Sequence, residues 1–528
     1  MSTALSSTET PGTWRRRGND LVRAVADVGP LVAFRASAVR GRGRVVATTA
    51  LALIVALSVF FAWLPAHLPG AGGAPGGIPQ LRADEAILLM PTMYLAVLVV
   101  ATISAAASGG GRELLSREQG VAFPVSPTTD HFGALLMAPL NIAWLLQCWT
   151  VLAATAFVLG PDNLLAVQAA VLVWLLLATT FAQAIAWSIE LLRRRRHGIW
   201  VVRGLVAALV GLMGWLIVSD RLVEVLDQSP TLQVLLAAVN ASDGRWWPWL
   251  GRVLLLLLTA VAAVVVGALL AHDLARTPVR DELKVESATY SRRANPATHA
   301  AALLRIDRAG VWRAVPLRRG FAVLALLPGL VALASALEWY MLNILPGLVA
   351  SGGALLFGVN AWCLDGRGTL WRESLPVGPR LVFAVRVVVL VEVLLAATAI
   401  ALVLASLRAG VPTTAQVVAV LCSSVVVTLQ VVSGSMRWSV RRPFAVDLRS
   451  ARATPAPPLT MVGYSTRFAL VTTFTAMLFV STSRAESWQW SVLLAAPFLL
   501  VSLLRLMRTA DAWESHEVRS RVVTAVAG

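Results

Sequence analysis

Lysine is almost missing from this chain. Of its 45 basic residues only Lys284 is a lysine; the other 44 are arginine. A phosphate-cradling GxxxxGK[ST] loop needs a lysine after a glycine. Lys284 stands in Asp281-Glu282-Leu283-Lys284-Val285-Glu286, with no glycine before it. The chain therefore lacks that ATPase chemistry of its own. Cysteine is scarce as well. Cys148, Cys363 and Cys422 lie in or at the ends of apolar runs and form no CxxC pair, which excludes a disulfide framework and a cysteine zinc site. Neither HExxH nor a metal-spaced His/Cys cluster occurs, and no Gly-x-Ser-x-Gly elbow marks a nucleophile. Charge is sparse too, at 14% of residues against about 25% in soluble domains. No alternating strand pattern appears, which argues against a barrel.

Long apolar runs dominate instead. The chain is 57% hydrophobic, and many runs reach the ~20 residues that cross a bilayer core. The fold class expected is an all-α polytopic membrane protein with about twelve spans, near 46–64, 86–108, 132–158, 164–190, 200–218, 249–271, 320–338, 341–363, 381–407, 413–436, 463–482 and 489–507. These group into a cytoplasmic N-terminal segment 1–45, a first six-span domain 46–271, a cytoplasmic linker 272–318, a second six-span domain 319–507 and a cytoplasmic tail 508–528. The Arg-rich stretch before the first run is long for a signal peptide, so the first span is expected to stay as an anchor.

The formal net charge of +17 could suit nucleic acid, but its placement points elsewhere. Arginines fall between apolar runs on alternate sides. Twelve spans with both termini inside leave six basic residues outside, Arg82, Arg221, Arg245, Arg252, Arg408 and Arg484, and 39 inside. That is the positive-inside pattern. Arg193 to Arg196 close the fourth span, and Arg437, Arg441 and Arg442 close the tenth. Six spans per half give both halves one orientation, related by an axis along the membrane normal.

A short motif occurs once in each half. The first copy is Gly111-Arg112-x-x-Leu115-x-Arg117-Glu118, followed by Phe123-Pro124-Val125-Ser126-Pro127. The second is Gly366-Arg367-x-x-Leu370-x-Arg372-Glu373, followed by Leu375-Pro376-Val377-Gly378-Pro379. Each copy lies between the second and third spans of its half and reads as a charged helical turn, a Pro-stopped turn and then a span. Residues 19–44 and 300–313 read as basic amphipathic helices before the first span of each half. In the outer segment 219–247 a short apolar stretch, 232–239, and Trp246, Trp247 and Trp249 read as a re-entrant or interfacial helix.

Few ionisable residues fall inside spans, where they are costly. Glu392 sits about mid-way along the ninth span and is a candidate for the substrate path. Arg386 lies six residues before it, on another helix face. Gln147, Gln183 and Gln430 are weaker path candidates, since amides inside spans more often join helices.

With motif and topology placed, the chain resembles the membrane permease subunit of an ABC-type exporter. It is similar to fused two-half permeases with a coupling helix between spans two and three, an amphipathic helix before span one and an outer re-entrant element between spans five and six. In the second half the last outer loop, 481–490, is short, and the re-entrant element is not expected there. The resemblance implies a plasma-membrane permease moving an apolar or amphipathic small molecule, lipid or peptide, with no nucleic-acid partner. It implies ATP and magnesium on separate ATPase subunits, expected in two copies. Arg112, Arg117, Glu118, Pro124, Arg367, Arg372, Glu373 and Pro376 would couple those subunits to the spans. Catalytic residues, bound metals and cofactors are not expected on this chain.

Two other classes compete. A secondary transporter of two six-span halves would carry Gly-x-x-x-Asp-Arg-x-Gly-Arg-Arg between spans two and three; here acid follows arginine and the second glycine is absent. A lipid-modifying membrane enzyme would want clustered acids on an outer loop, where Asp84-Glu85 is the one adjacent pair.

The topology has a direct test. Reporters fused after Arg196, within 275–315 and after Arg521 are expected to read as cytoplasmic, and those within 68–80 and 225–245 as external. A cytoplasmic signal from 225–245 overturns the twelve-span arrangement.

Overall fold

The computed structural model describes residues 42–73, 83–107, 126–138, 142–277, 294–445 and 458–527, except 222–223, 226–229, 295, 355, 357–359, 367 and 486, together with most of 23–33. Among the described residues there are helices and no strands, and nine helices are long and apolar enough to cross a membrane. The chain is thus an all-α, multi-pass membrane protein. It divides into two compact units, one built from residues up to Gly211 and from Asp220–Arg280, the other from Leu212–Ser219 and Asp281 onward.

The first unit contains α1 (Arg42–Trp63), α2 (Ala83–Ala107), α3 (Pro127–Met137), α4 (Ile142–Leu159), α5 (Leu164–Arg193), most of α6 (Gly198–Val218), α7 (Leu232–Ser242) and α8 (Trp246–Arg276). The run expected as one span over 132–158 is two helices, α3 and α4, with Pro139 in the sequence between them; proline ends helices by clash and by its missing N–H. α5 is the central helix, packed against α2, α4, α7 and α8. Polar side chains join these helices where no water competes. Gln168 Nε2 donates to the carbonyls of Ala62 (2.9 Å) and Leu152 (3.1 Å), and Tyr94 and Thr155 share a hydroxyl hydrogen bond of 3.0 Å. α7 fills the place expected for a short re-entrant helix. Val234, Ala237, Ala238 and Ala241 are fully buried, and Thr231 Oγ1 donates to the carbonyl of Pro91 in α2 (2.8 Å). At the other end, Arg194 Nη1 donates to the Leu274 and Thr277 carbonyls, both at 2.6 Å, satisfying the end of α8.

The second unit contains α9 (His299–Arg313), α10 (Val315–Ala334), α11 (Ile344–Gly353), α12 (Gly368–Glu373), α13 (Pro379–Ser406), α14 (Thr414–Arg441), α15 (Pro458–Ser483), α16 (Gln489–Glu514) and α17 (His516–Ala527). α9 occupies the expected amphipathic segment and is capped by Thr298, whose hydroxyl accepts from the Ala301 N–H. α11 packs against α10, α13, α14 and α15. The run expected as a continuous span over 341–363 stops here: α11 ends at Gly353, and the described residues among 360–366 form turns. This irregular backbone is enclosed by protein: Asn360, Ala361, Trp362 and Cys363 are buried. Two of their polar groups find partners close by. Asn360 Nδ2 donates to the Phe444 carbonyl (2.7 Å), and the Ala361 N–H donates to Ser439 Oγ (2.8 Å).

Close helix approach in this unit depends on glycine. A Cβ on Gly329 of α10 would lie 2.7 Å from the Ala401 carbonyl oxygen and 2.9 Å from its Cα, both backbone atoms of α13. Gly329→Ala must therefore part the two helices, and is expected to lower stability by about 1–3 kcal/mol. Gly211→Ala in α6 meets open space and is expected to leave the melting temperature unchanged or slightly raised. Equal melting temperatures for wild type and Gly329→Ala would contradict this packing.

Candidate functional site

The second motif copy begins with a turn. Gly366 has φ +48, a left-handed conformation that glycine adopts at little cost. The Gly368 N–H donates to the Asp365 carbonyl (2.7 Å) and that of Thr369 to the Gly366 carbonyl (3.1 Å), which starts α12. The helix is short because the Pro376 and Pro379 that follow prevent its continuation. Pro379 then opens α13 at its first turn, where a missing N–H costs nothing.

α12 shows two unlike faces. Thr369 and Arg372 are buried, whereas Leu370 and Trp371 are 54% and 60% exposed. Arg372 Nη1 donates to Asp307 Oδ1 of α9 (2.7 Å) and to both Asp365 oxygens (3.0 Å each). Arg386 of α13 takes the other side of the same acids. Its Nε donates to Asp307 Oδ2 (2.9 Å), its Nη2 to Asp365 Oδ2 (2.7 Å), and its Nη1 to the Ala361 carbonyl. The guanidinium also lies over the Trp362 ring, 5.2 Å from its centroid. Trp362 in turn stacks on Trp513 of α16 at 4.0 Å, with the rings 5° from parallel.

Two arginines and two aspartates thus lock four segments together, α9, the 360–366 turns, α12 and α13. The formal charges cancel. Arg386 and Asp307 are fully buried, so each depends on the other for what water no longer supplies. Burial alone pushes the Asp307 carboxyl up, but the charges and hydrogen bonds of Arg386 and Arg372 outweigh it and hold the group below its ordinary value.

At the outer edge of the network Glu373 pairs with Arg519 of α17, and Val522, Val523 and Val526 of that helix are buried. A cavity of about 160 Å³ opens beside the network, lined among others by Asp365, Arg372, Glu373, Trp513 and Arg519. Its two acids balance its two arginines, so it offers no net field to an ion.

Glu392 does not pair with Arg386. It receives two hydrogen bonds from Arg308 of α9, at 2.9 and 2.6 Å. The two side chains are 41% and 53% exposed. An ion pair so open is costly in hydrocarbon and stable at headgroup level. Glu392 thus has an ion-pair partner, Arg308 of α9, that the apolar run did not reveal.

The other candidate residues lie apart. Gln430 Oε1 accepts from Thr475 Oγ1 at 3.1 Å, joining α14 to α15. Gln183 is buried in α5 and Gln147 half-buried in α4. Pro376 is exposed between α12 and α13. Arg112, Arg117, Glu118, Pro124 and Arg367 lie outside the described residues. By motif register Asp365 corresponds to Gly110 and Arg386 to Ala134, so the first unit has no counterpart of these two charges. It holds a buried His131 instead, whose Nδ1 accepts from Trp187 Nε1 (3.0 Å). A Cβ on Gly267 would fall 2.5 Å from that ring.

Sequence reasoning missed Asp307, Asp365, Trp362, Trp513 and Arg519. One signal was available: an arginine in an apolar run needs an acid, and Asp365 directly precedes the Gly366-Arg367 pair. No protein-family model, curated protein or solved structure matches this chain.

Asp307→Ala leaves Arg372 and Arg386 with one aspartate between them, an uncompensated buried charge, and is expected to cost about 3–5 kcal/mol, read as a lowered melting temperature of the purified protein. The double variant Asp307→Leu, Arg386→Met should lose less than the single one. The pH dependence follows from the lowered Asp307 value. Its stabilisation is complete above the ordinary aspartate value of about 4 and is lost as pH falls through the folded-state value. Asp307→Asn should flatten that acid limb, and an unchanged limb would contradict the ion network.

Proposed function

We propose that this chain is the permease subunit of an ATP-driven ABC exporter, with twelve spans, cytoplasmic termini and ATPase subunits on separate chains. The observation that carries the reading is the construction of α12. It exposes a leucine, a tryptophan and a glutamate at one end of the unit, while its inward arginine is ion-paired to α9 and, through the shared acids, to α13. Exposed aromatic residues are effective anchors for a protein partner. A push on α12 would reach α13 through rigid charged contacts. The absence of a phosphate-binding loop fits a chain that borrows ATP hydrolysis from a partner. Export of an apolar or amphipathic molecule across the plasma membrane is the direction the resemblance favours, and the duplicated motif supplies one docking element per half.

Copy-specific variants test the proposal. Full-length tagged protein purified from native membranes is expected to bring down an ATPase subunit. Trp371→Ala should lower that recovery at least tenfold, which corresponds to about 1.4 kcal/mol, with unchanged membrane insertion. Glu118→Arg together with Glu373→Arg should abolish transport. Wild-type protein that recovers no ATPase, or variants that behave as wild type, would overturn the assignment.

A further inference from the structure

α14, α15 and α16 pack against one another, and their register is fixed by contacts at several heights. Val426, Phe479 and Ala495 share one apolar cluster. Gln430 meets Thr475 at 3.1 Å, and a Cβ on Gly434 would fall 2.3 Å from the Phe468 ring. Met436, Tyr464 and Leu506 belong to a second cluster farther along, so α14 and α16 run in one direction and α15 in the other. From that cluster, about three turns toward the arginine-rich end, roughly 16 Å at 1.5 Å per residue, lead to Arg437 on α14, Arg467 on α15 and Arg505 on α16.

Three guanidinium groups thus come to one level from three helices. The charges of Arg437 and Arg467 act repulsively on that of Arg505. Among the described residues no carboxylate is paired with any of them. Asp511 and Glu514, the acids nearest along α16, are held by Arg380 at 2.5 and 2.6 Å. Arg437 and Arg467 are exposed and Arg505 is half-buried. Trp438, next to Arg437, lies 4.8 Å from the Arg442 guanidinium and 5.3 Å from the Tyr464 ring, joining α14 to α15 at this level.

The surface on the membrane side of the arginines is apolar. Leu470, Val471 and Phe474 follow Arg467 at helical spacing on its own face and are 68%, 43% and 64% exposed. Val501, one turn from Arg505, is 52% exposed. A ligand that answers all of this carries a phosphate at the boundary and a hydrocarbon chain below it. Free phosphate would satisfy the charge but leave the apolar face unused.

We propose that Arg437, Arg467 and Arg505 bind the phosphate of an anionic phospholipid whose acyl chain lies along Leu470, Val471 and Phe474. By the positive-inside rule this is a lipid of the cytoplasmic leaflet. The site is independent of the transport reading and adds a lipid requirement to the second unit.

Full-length protein in nanodiscs with a diazirine-tailed phosphatidylglycerol tests it, with labelled peptides mapped by mass spectrometry. Labelling is expected at 467–474 and 500–504, well above that from diazirine phosphatidylcholine. Competition by unlabelled phosphatidylglycerol should weaken about 30-fold in Arg437→Gln, Arg467→Gln, from about a fivefold loss per arginine. Both residues are exposed, so the melting temperature in zwitterionic nanodiscs should stay unchanged. Equal labelling by the two lipids in wild-type protein would overturn the site without recourse to any variant. Unchanged competition in the double variant would overturn it as well. Millimolar inorganic phosphate displacing the label as well as the lipid does would reassign the arginines to a free anion and overturn the lipid.

Discussion

The second unit depends on one buried exchange of charge. Asp307 and Asp365 each sit between Arg372 and Arg386. None of these four side chains is stable when buried alone, because desolvation of an unpaired charge exceeds what packing returns. Together they pair their charges at distances of 2.7 to 3.0 Å. The consequence is mechanical. The helix α9, the turns at 360–366, α12 and α13 cannot move apart without exposing charge.

That constraint explains other features nearby. At 361 the backbone leaves the helical path with its polar groups served by side chains, the Ala361 N–H by Ser439 and the Ala361 carbonyl by Arg386. The Trp362–Trp513 stack brings α16 to the same place, and the Glu373–Arg519 pair brings α17. The first unit has glycine and alanine where the second has Asp365 and Arg386, and instead it seats a buried histidine against a tryptophan and a glycine. The sequence of the first half thus does not repeat these two charges of the second.

Much of the membrane architecture was legible in the sequence because an apolar run of span length has few other uses. The short buried helix after residue 231 was legible for the same reason, being apolar yet too short to cross. The interruption of α11 was not, since glycines such as Gly352 and Gly353 are ordinary inside membrane helices and only the fold shows Leu324 and Leu394 crowding them. Nor was the partner of Glu392, since the pairing with Arg308 spans 84 residues. The motif announced its place but not its orientation. Arg372 reads as a surface charge in sequence, yet it turns inward because Asp307, 65 residues away, waits for it.

The central claim is that α12 is fixed to α13 by this ion network rather than by the short connection between them. Spin labels at Leu370 and Val388, both exposed, report the separation of the two helices by pulsed dipolar spectroscopy. One narrow distance distribution in otherwise wild-type protein, broadened in Arg386→Met, is the expected result. Distributions of equal width in the two proteins would contradict the account.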